Sequence, residues 1–221
     1  MNPLQWVAAA WRRRVTPPDA QGEYTTGWLP RLVRDEVARR LAGKTGTLLD
    51  AGCGEGLLFG GVCRAAAGLD IVGIDPWEAI LRRSTKRIED NGYGRVRLAR
   101  ADAMALPFRD GTFDYVACAN VALNLPDKAA IAAMLAEAVR VARPGGYVFV
   151  DFRNRLNPLI RVGYMLAPLH DPELKVLVNS YRPDEVAGMF PAGSLSGLSL
   201  TGLGMGLGML SPVIFAEAVK R

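Results

Sequence analysis

Residues Leu48 to Leu58 read LLDAGCGEGLL, an apolar run that ends on the carboxylate of Asp50 and is followed by glycines at 52, 54 and 56. A strand feeding a glycine turn and then a helix makes a pocket where backbone comes close to a ligand, because glycine has no side chain and tolerates unusual dihedrals. The dinucleotide fingerprint spaces its glycines G-x-G-x-x-G. Here the position of its third glycine is Leu57 and the spacing is G-x-G-x-G. An acid at the mouth of such a loop repels phosphate and tolerates a cationic ligand.

Outward from this loop, helical and strand patterns alternate with no internal repeat. LPRLVRDEVARRLAG (29–43) reads as an amphipathic helix with Pro30 in its first turn and Gly43 as its stop. TLLDA, LDIVGID, VRLARAD, FDYVACAN and YVFVDF read as strands, separated by the helical patterns LLFGGVCRAAAG, PWEAILRRSTKRIEDNG and DKAAIAAMLAEAVRVARPGG, the last with Asp127 as N-cap. Apolar strands alternating with helices predict an α/β fold: a Rossmann-like three-layer sandwich around a mostly parallel seven-stranded sheet whose last strand is antiparallel. Ligands of such sheets bind at the carboxyl ends of the strands. Five successive strand ends carry Asp50, Asp75, Asp102, Asn120 and Asp151.

Composition narrows the function classes. A chain of 221 residues, half of them hydrophobic, supports one full domain and excludes a small disulfide-stapled or disordered protein. Cys53, Cys63 and Cys118 lack paired metal-ligand spacing, so no metal is expected, and reduced thiols suit a cytoplasmic setting. The N-terminal MNPLQWVAAAWRRR places its basic cluster after a short apolar stretch, the wrong order for a secretory signal. Ser194 to Ala216 carries no charge, but its period-two alternation and Pro212 predict two closing strands rather than a membrane span. Of the formal charge of +5, residues 1–46 supply most, with eight Lys/Arg against four Asp/Glu. That arm, with Trp6, Trp11 and Arg12 to Arg14, is either a solvated helix packed on the domain or a weak contact to an anionic membrane surface.

The D-x-G-x-G-x-G stretch resembles the first motif of the class I S-adenosylmethionine-dependent methyltransferases, and the resemblance extends over roughly residues 30–150. It implies that Gly52, Gly54 and Gly56 lie along the methionine and ribose part of S-adenosylmethionine and that Asp50 supports its amino group. Asp75, closing IVGIDP, is implied as the ribose ligand, with Pro76 or Trp77 over the adenine. ADAMALPFRDGTFDYV resembles the segment of small-molecule methyltransferases, quinone-biosynthesis enzymes among them, in which Asp102 contacts the adenine amino group and Ala103 supplies backbone. Asn120 completes the cofactor set. ARPGGYVFV resembles the family's turn before the fifth strand, a structural part.

Two departures bear on the reaction. Where relatives often carry His in an H-L-x-D segment, this chain has NLPD, and an asparagine such as Asn124 can orient a substrate but cannot act as a base near neutral pH. The chain's one histidine is His170, in a proline-flanked loop. No catalytic residue is assigned; methyl transfer needs mainly alignment and exclusion of water.

The chain divides into an N-terminal arm (1–46), a cofactor core (47–152), a lid insertion (153–180) and a closing helix with two strands (181–221). The apolar lid predicts a small hydrophobic acceptor, quinone-like, polyketide or lipid. Tyr24, Asn124, Arg153, Tyr164 and His170 are the substrate candidates, Arg153 either holding an anionic group or facing solvent. Oligomeric state is left open. RNA or protein methylation is a competing reading, disfavoured because the basic excess is confined to the arm and NVAL stands where base-amino methyltransferases carry N/D-P-P-Y. Others are a non-catalytic cofactor-binding protein and a nicotinamide oxidoreductase, the latter disfavoured by Leu57 and Asp50.

Overall fold

The computed structural model describes residues 27–162 and 179–221. The described residues begin with α1 (Trp28–Arg40), then β1 (Thr45–Ala51), α2 (Phe59–Ala65), β2 (Gly68–Asp75), α3 (Glu78–Asn91), β3 (Val96–Arg100) and β4 (Phe113–Cys118). It continues through α4 (Lys128–Val141), β5 (Ala142–Asn154), β6 (Ser180–Tyr181), α5 (Pro183–Met189), β7 (Leu195–Leu203) and β8 (Val213–Lys220).

The local reasons are legible. Asp127 stands outside α4 in extended conformation and its carboxylate accepts the Ala130 N–H at 2.8 Å, the N-cap expected from sequence. Pro183 begins α5, where its missing N–H costs nothing. The uncharged closing segment forms the strands β7 and β8, as its alternation requires. Among the described residues no helix is long and apolar enough to cross a membrane.

Seven strands run in the order β3-β2-β1-β4-β5-β8-β7, and the two-residue β6 adds to β5 off that path. β1 to β5 are mutually parallel, while β8 lies antiparallel to both β5 and β7. Successive side chains leave opposite faces, so each strand feeds two cores. Leu49, Val116, Cys118, Val148, Val150 and Ile214 pack with Ile131, Met134 and Leu135 of α4 and Val186 of α5. Their neighbours Leu48, Ala117, Phe149 and Phe215 face the other way, onto Val37 of α1, Leu41 at its C-cap, Phe59 of α2 and Leu81 of α3. This is the expected three-layer sandwich. Each such Leu, Ile or Phe gains about 1.5–3 kcal/mol on burial.

The chain winds outward from β1 to β3 and returns to lay β4 on the other side of β1. That reversal leaves a crevice above the carboxyl ends of β1 and β4, the place where open α/β sheets bind ligands.

Arg153 and Asn154 belong to β5, pairing with Val213 and with Ser180 and Tyr181, so the fifth strand runs two residues further than its apolar run. Both are buried, and the connecting segment starts after them.

Candidate cofactor site

At the crevice, the β1–α2 loop makes a tight turn over the end of β2. The N–H groups of Gly52 and Cys53 both donate to the Ile74 carbonyl at 2.8 Å. All three glycines have left-handed φ, +80°, +54° and +73° at Gly52, Gly54 and Gly56. Two of them are also packed against neighbours. A Cβ at Gly52 would come 2.6 Å from Val121 Cγ2, and one at Gly56 would come 2.6 Å from the Phe59 ring. A Cβ at Gly54 would meet nothing within 4 Å, so that glycine alone borders open space. From the far side Arg83 pairs with the Glu55 carboxylate at 2.7 Å, and Arg87 Nε donates to the Glu55 carbonyl at 2.8 Å.

Asp50, below the loop, is almost fully buried, and its Oδ2 has no hydrogen-bond partner among the described residues. Burial pushes its pKa up to about 7, with the Asp75 charge adding to the rise and Arg34 opposing it. Arg34 sits half-buried on α1, where desolvation lowers its pKa and Asp35 and Asp50 counter that loss.

Asp75 closes β2 and ties two segments together: Oδ2 accepts the Gly54 N–H at 3.2 Å and Oδ1 accepts the Trp77 N–H at 3.0 Å. Each oxygen keeps a further lone pair. Pro76 and Trp77 form an exposed lip, the Trp77 side chain being 68% accessible, so the indole is not packed as the start of α3. Asp102 is exposed after β3 and accepts the Met104 N–H at 2.9 Å, beside buried Ala103.

A second cluster stands beyond β4 and β5. Asn120 adopts left-handed φ of +62° and its N–H donates to Asp151 Oδ1 at 2.5 Å. Arg153, buried, donates to Asp151 Oδ2 at 2.8 Å and to Asn120 Oδ1 at 3.1 Å, while Asn120 Nδ2 donates to the Pro30 carbonyl of α1 at 3.2 Å. Burial raises the Asp151 pKa, and the adjacent Arg153 charge opposes the rise. Asn124 Nδ2 donates to the Asn120 carbonyl at 3.1 Å. A polar cleft of about 360 Å³ opens nearby between Asp127, Lys128, Arg155, Asn179 and Tyr181.

The methyltransferase domain family matches residues 48–146, the span that builds this loop and its flanking strands. A ubiquinone biosynthesis O-methyltransferase of Acinetobacter baylyi is 31% identical over 180 residues, covering 76% of this chain and 70% of that protein. The chain belongs to the S-adenosylmethionine-dependent methyltransferases. Demethylmenaquinone methyltransferase of Bacillus subtilis is 35% identical over 117 residues, 52% of this chain, and the chain spans about half (49%) of that relative's length. A solved S-adenosylmethionine-dependent methyltransferase of Methanosarcina mazei superposes with a TM-score of 0.65 at 17% identity, covering 83% of this chain and 96% of that one, which supports the fold.

The residues fit the cofactor of this family. S-adenosylmethionine carries an ammonium and a sulfonium and no phosphate; a buried carboxylate oxygen lacking a donor and a glycine bordering open space are what such a ligand needs. Asp50, Gly52, Gly54, Gly56, Asp75, Pro76 and Trp77 are brought to one side of the crevice by β1 and β2, with Asp102 and Ala103 beyond the adjacent β3.

The side chains of Asn120 and Arg153 are committed to each other and to Asp151 and Pro30, which makes them a brace rather than a free ligand set. Arg153 is buried rather than facing solvent, and its guanidinium pairs with Asp151. Tyr24, Tyr164 and His170 lie outside the described residues, as do Trp6, Trp11 and most of the apolar segment after Asn157. Sequence reading missed Arg34 and the Arg83/Arg87 clamp. Arg34 carried a signal: it falls next to Val33 and three residues before Val37 on the buried stripe of α1, where an arginine needs a partner.

Proposed function

We propose that the chain transfers the methyl group of S-adenosylmethionine to a small hydrophobic acceptor of quinone-like type. The observation that carries the reading is the buried Asp50 oxygen, without a hydrogen-bond partner among the described residues, beneath a glycine loop in which Gly54 borders open space. The names of the two relatives, one in ubiquinone and one in menaquinone biosynthesis, support the acceptor class.

In this reading Asp50 takes the ammonium and Gly54 lets the backbone lie against the ligand. Asp75 offers its remaining lone pairs to the ribose hydroxyls while keeping Gly54 and Trp77 in place. Trp77 or Pro76 would cover the adenine, and Asp102 would accept a hydrogen bond from its amino group. When bound, the cofactor supplies an activated methyl carbon for in-line displacement by the acceptor's nucleophilic atom. The chain's own task is alignment and exclusion of water. Asn120 acts by holding α1, through Pro30, over the end of β4, and Asn124 steadies the Asn120 carbonyl. Neither asparagine removes a proton, which favours acceptors that ionise readily, such as a hydroquinone, over an unactivated alcohol.

Calorimetric titration with S-adenosylmethionine, S-adenosylhomocysteine and NAD tests the cofactor half. Micromolar binding of the two sulfur compounds, none of NAD, and loss on Asp75→Ala are expected. Transfer of labelled methyl to a demethylated quinol, compared with bulk transfer RNA, tests the other half. Label entering RNA and not the quinol would overturn the acceptor assignment.

A further inference from the structure

The turn between β7 and β8, GMGLGML (204–210), contains no charged residue and exposes Met205, Leu207, Met209 and Leu210, each 44–53% accessible. Four large apolar side chains in seven residues form a contiguous patch of the kind that marks an interaction surface.

This turn is held in place. Asn154 Nδ2 donates to the Met209 and Ser211 carbonyls at 2.7 and 2.8 Å, and Asn157 Nδ2 donates to the Leu210 carbonyl at 2.7 Å. Both asparagines are fully buried, so two interior amides are committed to presenting an apolar tip. At the other side Gly204 packs on α1: a Cβ there would lie 3.2 Å from Leu32 and from the Trp28 ring, and Trp28 is itself partly exposed. Because β8 is antiparallel to β5 with Val213 opposite Arg153, the tip stands at the carboxyl end of the parallel strands, the end that carries the crevice.

We infer that the β7–β8 tip, with Trp28, seats the protein on an anionic lipid bilayer with the crevice end facing the membrane. An uncharged apolar tip enters the headgroup region without carrying a charge into it, and tryptophan suits that boundary. Exposed Arg161 stands beside exposed Leu159 and Val162, just after Asn157, and Arg31, one turn after Trp28 and 75% accessible, adds a second guanidinium that is paired with Asp35 at 3.5 Å. In sequence, Arg12, Arg13 and Arg14 with Trp6 and Trp11 precede Gly27. Cations around an apolar tip complement an anionic leaflet. The inference goes beyond the acceptor assignment, and the surface exists whatever the acceptor is.

Vesicle flotation of the full-length chain, without cofactor or acceptor, tests it, with vesicles of phosphatidylcholine alone and with about a third phosphatidylglycerol. The wild type is expected to float with the anionic vesicles and far less with the neutral ones. Replacing Met205, Leu207, Met209 and Leu210 by Ser should lower partitioning at least tenfold while leaving S-adenosylmethionine binding unchanged. Arg161→Gln should lower it about fivefold on anionic vesicles only. Should the fourfold variant not fold, Leu207→Glu alone carries the same test.

Wild-type protein that ignores both vesicles, or a serine variant that floats as well as wild type, would overturn the inference. A dimer in sedimentation that the serine variant abolishes, with no vesicle binding, would assign the face to a second copy of the chain and overturn it equally. Failed flotation with intact quinol methylation would leave the proposed function standing.

Discussion

Asp50 offers the sharpest test of the cofactor reading, because its protonation and the ligand's ammonium compete for one oxygen. Burial holds its pKa at about 7 in the free protein. A bound ammonium returns the carboxylate to its ordinary acid range, so binding below pH 7 must expel a proton. The ligand's own α-amino group stays protonated below about 7.7, which isolates the effect between pH 5.5 and 7. With a pKa of about 7, the ionised fraction of Asp50 rises from about 0.03 at pH 5.5 to about 0.5 at pH 7. Affinity for S-adenosylmethionine should therefore strengthen roughly 16-fold across that interval, about 1.6 kcal/mol. Calorimetry at pH 5.5 in two buffers of different ionisation enthalpy should register close to one proton released per ligand, and about half a proton at pH 7. Asp50→Asn should abolish both the proton release and the pH slope, and weaken binding at pH 7. Affinity that is flat or falls between pH 5.5 and 7, with no proton released, would refute the assignment of Asp50 to the ammonium.

The same carboxylate sets a stability trend of the free protein. A folded pKa raised above the unfolded value means the native state holds its proton more tightly, so this contribution is lost as pH climbs from about 4 through about 7. Asp50→Asn should raise the apo unfolding free energy at pH 8 by about 1–3 kcal/mol in denaturant titrations, with a smaller gain at pH 5. The glycines should separate by function: Gly52→Ala, driven into Val121, should cost about 2–3 kcal/mol of stability, whereas Gly54→Ala should cost about 1 kcal/mol yet weaken cofactor binding more than tenfold. At Asn120, whose left-handed backbone glycine tolerates, Asn120→Ala should be less stable than Asn120→Gly by about 1 kcal/mol in thermal unfolding, although both lose the bonds to Pro30 and Arg153.

The placing of the candidate cofactor residues at the crevice was legible because it is local. Asp50 and the three glycines occupy seven consecutive positions, and a strand end followed by a tight turn fixes their relation without help from the rest of the chain. Asp75 and Asp102 were legible for the same reason, each being the polar residue at the end of an apolar strand run. The brace around Asn120 was not, since it joins α1, β4 and β5, whose members are as much as 123 positions apart from Pro30 to Arg153. In sequence Arg153 is one of a charged pair flanking an asparagine; only the β5–β8 register, which carries the strand past its apolar run, shows that it is interior. Arg34 illustrates the same limit from the other direction. Its place on the buried stripe of α1 is readable, but that its charge lies near Asp50 depends on how α1 docks against β1 and α2. Side chains fixed by one turn of chain are written in the sequence as spacing; those fixed by the packing of three elements are written only as residues that do not suit their surroundings. A buried-stripe arginine and a non-glycine left-handed asparagine are both of that kind, and both belong to the helix that covers the crevice or to the brace that holds it. On the proposed function, the docking of α1 onto the end of β4 is what the Asn120 brace controls, and it can change while the glycine loop and its acids stay as they are.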